Sequence, residues 1–420
     1  MSASSRSMNL PEKIGWEQRP IGSLFQHRVH ATTAEEHAPL SVTKEGVIDQ
    51  LSDVAVSEFG APKKLVRAGD LVINSRSDRK GSSGLALRDG SVSVINTVLK
   101  PRAIDPGFAM HLLRSRWFQE EFYRFGSGIV ADLWSTRYQA MKTIRIPVPN
   151  TQTQRAIADY LDHETAEIDA FIESLSTLGE LNRERRDAHL EQQVLANSDY
   201  IVQLRRLSPT KESGTSVNGA PWPAEPGTPG VLKTGAVSQR EYRPWENKAV
   251  LDDHEVARLT APVRSDRVLV NRANTPANVG AAAYIREETP GLYLSDKLWS
   301  VDFDAENEYM ALALRTRLYQ DQASQLAVGT SLSMQNLPYE AFLNIRVPVP
   351  PLSTQRAICQ AAATAEASFQ KSTQEITRAI TLAKERRAAL ITAAVTGQID
   401  VTATRRPAAE QLEDDIKELT

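Results

Sequence analysis

The spacing of apolar and polar positions along this 420-residue chain changes abruptly at two places, and both carry nearly the same phrase. Residues 144–157 read IRIPVPNTQTQRAI and residues 345–358 read IRVPVPPLSTQRAI, identical at ten of fourteen positions and 201 residues apart. Upstream of each phrase lie short β-type runs, DLVINSR (70–76) and DRVLVNRA (266–273), separated by Gly, Ser and Asn turns. A helix candidate follows, FAMHLLRSRWFQEEFYRF in one copy and EYMALALRTRLYQDQASQL in the other. A Gly/Ser loop then leads into the extended IPVP or VPVP, whose prolines bias their neighbours out of the helical region.

Downstream of each phrase the period becomes helical. Thr153-Gln154 and Thr354-Gln355 open long stretches poor in Gly and Pro. Ala362, Phe369, Ile376, Ala383 and Leu390 recur every seven residues, and Leu161, Ile168, Leu175, Asn182 and His189 hold the same register. Phe171 and Leu178 are expected to fill a companion seam. The spacing predicts helices of about 40–45 residues, whose apolar stripes must be buried, with each other as the nearest partner. Asn182 and His189 either set the register or mark a looser end.

The correspondence extends beyond the phrase. At the same offset LRSRWFQEE (113–121) lies over LRTRLYQDQ (314–322), Gly128 over Gly329, Tyr138 over Tyr339 and Ala140 over Ala341. Glu184-Arg185-Arg186 lies over Glu385-Arg386-Arg387. So long a period excludes a solenoid or propeller blade. The expected architecture is α+β and duplicated. It places a globular domain at 1–150, a long helix at 151–200, a second domain at 201–350, a second helix at 351–400 and a charged tail at 401–420. The two helices would pair as a coiled coil.

Composition narrows the class without naming a function. Hydrophobic content of 41% with 24% charge is that of a soluble globular protein, and length argues for more than one core. No apolar run approaches a membrane span. The opening MSASSRSMNLPEK lacks an apolar segment and is expected to be a frayed terminus rather than a signal peptide. Cys359 is the only cysteine, which excludes an internal disulfide or a cysteine-based zinc site and fits a reducing cytoplasm. The net charge of −3 hides an asymmetry: residues 1–150 carry 20 Lys+Arg against 15 Asp+Glu, and residues 151–200 carry 4 against 11. A basic block beside an acidic helical block suggests two kinds of partner surface.

Catalytic constellations are missing. There is no G-x-x-x-x-G-K-[ST] loop and no G-x-G-x-x-G. No Pro-Pro-aromatic tetrapeptide for a flipped adenine occurs, since Pro350-Pro351 is followed by Leu352. The seven histidines form no H-E-x-x-H, and His27/His30 read as a surface loop rather than a metal pair. Glu246-Asn247-Lys248 imitates half of a nuclease site, but no Asp lies in the twenty residues before it. Cys359 reads as a small packing residue. We expect no catalytic residue, no metal site and no cofactor bound by this chain.

Two α+β domains, each ending in I-x-[IV]-P-V-P-x-x-x-x-Q-R-x-I and a long helix, resemble the specificity subunit of type I restriction-modification systems. The residues carrying the resemblance are Ile144–Ile157, Ile345–Ile358, the stretch VGTSLSMQNLPYEAFLNIRVPVPPLSTQRAI (328–358) and the ending ERRAALITAAVTGQIDV (385–401). It covers the chain from about Gly15 to Val401. The resemblance implies that each domain reads one half of a split site on double-stranded DNA. The helices would pack antiparallel as a spacer and dock two methyltransferase subunits, which bind S-adenosylmethionine and methylate adenine. A motor-nuclease restriction subunit would cleave unmodified DNA. The missing chemistry fits, because such a chain only chooses the address. The first copy departs from the pattern at LWSTRYQAM, in place of the usual polar loop, and at Gly179, which interrupts the first helix. The alternative reading is a coiled-coil scaffold whose α+β domains bind protein.

Base reading needs Arg, Lys, Asn, Gln or Ser projecting from loops, and phosphate contacts need cations and backbone amides. In the first domain the candidates are Arg76, Arg79 and Lys80 of SRSDRKGSSG, then Ser127, Trp134, Ser135 and Arg137 before the Pro phrase. In the second they are Asn271, Arg272 and Asn274, then Thr330, Ser331, Ser333 and Gln335, with Lys297 as a phosphate candidate. Arg145 and Arg346 are identical between copies, so they suit a phosphate contact or structural pairing better than base reading. Arg185, Arg186, Arg386 and Arg387 of the repeated triplets are either a solvated helix face or charges that dock the methyltransferase.

Overall fold

The computed structural model describes residues 15–50, 60–128, 134–196, 200–238, 240–331 and 334–401. The expected frayed start and nearly all of the tail lie outside them. The chain divides into two compact units, Met1–Thr177 with Ile376–Thr420, and Leu178–Glu375. These boundaries cut across the expected succession of domains and helices: each unit takes one globular domain with part of each long helix.

In the first unit the Pro phrase is a strand. Arg145–Val148 pairs antiparallel with Glu17–Pro20, and the buried Ile146 and Val148 point to the core. An antiparallel four-stranded sheet follows the order Phe25–Arg28, Asn96–Pro101, Leu71–Asn74, Ser83–Leu85. Helices α1 (Pro106–Arg114) and α2 (Arg116–Arg124) come next. The sequence reads as one helix there, but Ser115 divides it. Its extended backbone ends α1, and its hydroxyl accepts from the Phe118 amide at 3.2 Å to begin α2. The core joins Phe108, Leu112, Phe118, Met141 and Ile146 to Ile157, Leu161, Ile391 and Val395 of the long helices.

The second unit repeats this frame. Ile201–Gln203 pairs with Arg346–Pro348. Its four-stranded sheet runs Thr210–Ser213, Leu298–Asp302, Arg267–Asn271, Ala282–Ile285, the same order by position in the domain. The two long helices are α3 (Thr151–Ala196) and α6 (Leu352–Val395), with α4 (Asn307–Ala313) and α5 (Arg317–Leu326) between them. Thr316 divides α4 from α5 as Ser115 divides α1 from α2, accepting from the Tyr319 amide at 3.4 Å. The copies diverge ahead of this frame. The first domain adds a sheet of Ala31–Thr32, Lys63–Val66 and Gly90–Ser93, and the second a sheet of Asn247–Ala249, Gly230–Leu232 and Leu292–Tyr293.

Helices α3 and α6 have 46 and 44 residues. Within each unit they run antiparallel: Asp169 meets Arg387 in the first, and Asn182 meets Phe369 and Thr373 in the second. Ile168 and Ala383 are fully buried against each other's surroundings, with Phe171 beside them. Two expectations fail. Leu178 is 50% exposed and fills no seam. Gly179 does not interrupt α3, which continues through it, because a mid-helix glycine costs only about 1 kcal/mol, less than the packing on both sides returns.

Candidate nucleic-acid interface

In the first domain two separately chosen segments are brought into one place. The strand Leu71–Asn74 ends in a tight turn in which the Asn74 Oδ1 accepts from the Arg76 amide at 3.1 Å. Gly81 sits at φ +84° against the Gln119 side chain, a conformation that favours glycine. Arg76 and Arg79 project from this turn, exposed, with Asp78 3.5 and 3.8 Å away. Lys80 turns inward, pairing with Glu120 at 2.7 Å and lying over the Tyr123 ring at 5.2 Å.

The second segment is held against the first by its backbone. Ser127 and Ser135 exchange both hydrogen bonds at 3.0 Å, and the Thr136 amide donates to the Ser75 carbonyl at 2.9 Å. The Trp134 indole stacks on Tyr123 at 5.9 Å and donates to the Tyr123 carbonyl at 3.0 Å. Gly126 lies beneath that indole; a Cβ there would fall 2.1 Å from Nε1, so only glycine fits. Trp134 is therefore an anchor, while Arg76, Arg79, Ser127 and Arg137 are exposed around it. Tyr123 and Glu120 organise this site and carry no sequence signal of their own, since both sit inside an amphipathic helix.

The second domain builds the same junction from different side chains. Ala273–Asn274 pairs with the hairpin strand Met334–Asn336, setting Asn274 opposite Gln335, and the Leu337 amide donates to the Arg272 carbonyl at 2.8 Å. Arg272 is spent on this junction: Nε donates to the Asp296 carbonyl at 2.6 Å and Nη1 to the Asn336 Oδ1 at 2.9 Å. Asn271 corrects the sequence reading. It is 0% exposed, so it is a core residue and offers no edge to a base. Asn274, Gln335 and Lys297 are half-buried at the surface. Ser333 and the side chains of Thr330 and Ser331 lie outside the described residues.

The repeated arginines are used inside the chain. Arg387 Nη2 donates to the Asp169 carboxylate on the facing long helix at 2.9 Å, with Nε 2.8 Å from its other oxygen. Arg186 reaches Glu366 at 3.6 Å, Asp187 at 3.3 Å and Glu241 at 4.0 Å. Both arginines thus make intramolecular ion pairs while staying partly exposed. Arg386 is half-buried, and Arg185 is exposed. Arg145 donates to the Gln18 carbonyl at 2.7 Å, the structural pairing that its repetition allowed. No group of three or more His, Cys, Asp or Glu among the described residues could hold a metal ion.

No family model matches this sequence. The type I restriction enzyme EcoEI specificity subunit of Escherichia coli is 30% identical over 129 residues, 30% of this chain and 22% of that protein, so the match spans about a fifth of the relative. A solved chain from work on complex assembly and conformational transition of the type I R-M system superposes with a TM-score of 0.68. It is 14% identical and covers 94% of this chain and 100% of its own length. The HsdS subunit from Thermoanaerobacter tengcongensis gives a TM-score of 0.47 at 16% identity, covering 94% of this chain and 99% of that one. The chain is similar in sequence to a type I specificity subunit and shares its fold with a chain of a type I system.

Proposed function

We propose that this chain, similar in sequence to a type I specificity subunit and sharing its fold with a chain of a type I system, is a non-catalytic DNA-recognition subunit. Each domain reads one half of a bipartite site on double-stranded DNA. The observation that carries the reading is one frame used twice with different side chains at its loop junction. Arg76, Arg79, Ser127, Ser135 and Arg137 stand at that junction in the first domain, and Asn274, Gln335 and Lys297 in the second. Duplicated readers of two different half-sites need this combination of constant frame and divergent edge. Thr330, Ser331 and Ser333 belong to the same proposal by sequence alone, and Lys80 and Trp134 hold the first junction in shape.

The helices α3 and α6 are the surface for two methyltransferase subunits, with Arg185, Arg186, Arg386 and Arg387 as candidate contacts and restriction subunits joining the complex. S-adenosylmethionine is bound by those partners. A chain that reads cellular DNA would work in the cytoplasm; among the described residues no helix is long and apolar enough to cross a membrane. The sequence similarity to a restriction-enzyme specificity subunit favours DNA reading over a protein-binding scaffold.

The test combines the purified chain with a type I methyltransferase subunit, S-adenosylmethionine and genomic DNA. Methylated adenines should fall in a split sequence, and the chain alone should transfer no methyl group. Replacing residues 15–150 by the equivalent domain of a relative should alter one half-sequence only. Methyl transfer by the isolated chain, or an address that ignores this chain, would sink the proposal.

A further inference from the structure

The repeated TQR triplet ties each globular domain to the first turn of its own long helix, and the two ties are built alike. In the first unit Gln154 is 3% exposed. Its Oε1 accepts from the Asp105 amide at 2.7 Å, and its Nε2 donates to the Pro149 carbonyl at 2.7 Å. In the second, Gln355 is 4% exposed. Its Oε1 accepts from the Glu306 amide at 3.0 Å, and its Nε2 donates to the Pro350 carbonyl at 2.8 Å. Asp105 and Glu306 are the N-cap residues of α1 and α4. Each glutamine therefore joins the start of a domain helix to the start of a long helix through one planar amide, which supplies acceptor and donor together.

The neighbouring arginine closes the tie from outside. Arg155 stands 3.9 Å from the Asp105 carboxylate, and Arg356 is 3.0 Å from that of Glu306. In the first unit the two helices also approach closely: a Cβ on Gly107 would lie 3.0 Å from the Ala158 side chain. Both amide partners are backbone groups, so the tie holds the course of the chain rather than a side-chain surface.

We infer that Gln154 and Gln355 are positioning residues that set the angle of each recognition domain on its long helix. They thereby sharpen the length of the unread gap between the half-sites. The inference rests on the proposed DNA-reading function. A tilt of a domain about its helix is carried straight into the position of its reading loops, while the loops' own geometry, and so the half-sequence, stays the same.

Gln154→Met and Gln355→Met keep the volume and remove both bonds, leaving an amide and a carbonyl without partners. Each variant, assembled as the full chain with methyltransferase and S-adenosylmethionine, is read by sequencing methylated genomic sites. The share of sites whose gap differs by one base pair should rise on the order of tenfold, with both half-sequences unchanged. Arg155→Gln and Arg356→Gln lie on the surface, fold in any event, and should shift the same distribution less. A uniform fall in methylation with the gap unchanged across all four variants would overturn the inference, as would a changed half-sequence. A wild-type chain that directs no methylation would instead remove the functional reading on which the inference stands.

Discussion

The same place in the two units, where α1 or α4 meets the long helices, is filled in one and hollow in the other. In the first unit Leu161 and Ile168 are fully buried, and His111 bonds Asp162 at 2.7 Å. At the positions 201 residues on stand Ala362, Phe369, Leu312 and Ala363. There the second unit holds a partly open cavity of about 480 Å³, walled by Leu312, Ala362, Phe369, Arg186, Arg240 and Arg315 among others. Both units retain two neighbouring arginines at this point, Arg114 with Arg387 and Arg315 with Arg186. Burial, then the Arg387 guanidinium, lowers the Arg114 pKa; burial lowers that of Arg315, against the Glu366 carboxylate. The duplication has kept the charges and released the volume. Charge placement is held by the carboxylates that face these arginines, Asp169 in the first unit and Glu366 in the second, whereas an alanine in place of leucine leaves space that costs stability without changing the fold.

Exchanging the volumes should break this comparison most forcefully. Leu161→Ala removes a fully buried side chain from the filled unit and should cost about 2–5 kcal/mol in denaturant unfolding. The reverse change, Ala362→Leu, enters existing space and should be neutral or stabilising by about 1 kcal/mol. A comparable loss in both variants would mean that the cavity closes in solution.

Removing the carboxylates should have a smaller effect, and an unequal one. Glu366 lies between Arg186 and Arg315, whose side chains are 26% and 12% exposed. Glu366→Gln takes from Arg315 its paired carboxylate, while Arg186 keeps Asp187 and Glu241, and should cost about 2 kcal/mol. Asp169, 52% exposed, pairs with Arg387 near solvent, so Asp169→Asn should cost under about 1 kcal/mol. Equal losses would show that burial does not distinguish the two hubs.

The smallest expected difference is one of pH. Burial lowers the His111 pKa more than the Asp162 carboxylate raises it. A lowered folded-state pKa means that the unfolded chain takes up the proton first. The stability contributed by neutral His111 is then present above about pH 6.5 and lost as pH falls below it. His111→Leu, which copies Leu312 of the second unit, should flatten this part of the stability-versus-pH curve. An unchanged slope would assign the pH dependence elsewhere.

Much of the frame is legible in the residues because it is written twice. Period seven after each Pro phrase marks α3 and α6, and the phrase itself is a strand because its prolines exclude helix and suit a two-stranded edge. The division of α1 from α2 was not legible as a break, since Ser115 and Thr316 sit inside an otherwise helical pattern and only the cap bond distinguishes them. The site was legible as segments, not as roles. Asn271 and Arg272 share the composition of a reading loop, yet one is enclosed by the sheet and the other is consumed by Asp296 and Asn336. Leu178 kept the expected register but lies on the exposed side of its helix.

The duplication, the α+β class, the position of both long helices and the lack of a catalytic motif are all readable from the residues alone. Each of these depends on local periodicity or on the chain compared with itself. Only the tertiary structure decided which arginines stay exposed, which glutamine ties domain to helix, and where the seam is full or hollow. Those outcomes depend on partners far away in the chain, as with Gln154 and Asp105 or Arg387 and Asp169. Burial and pairing are properties of the space between segments, and no single segment encodes them.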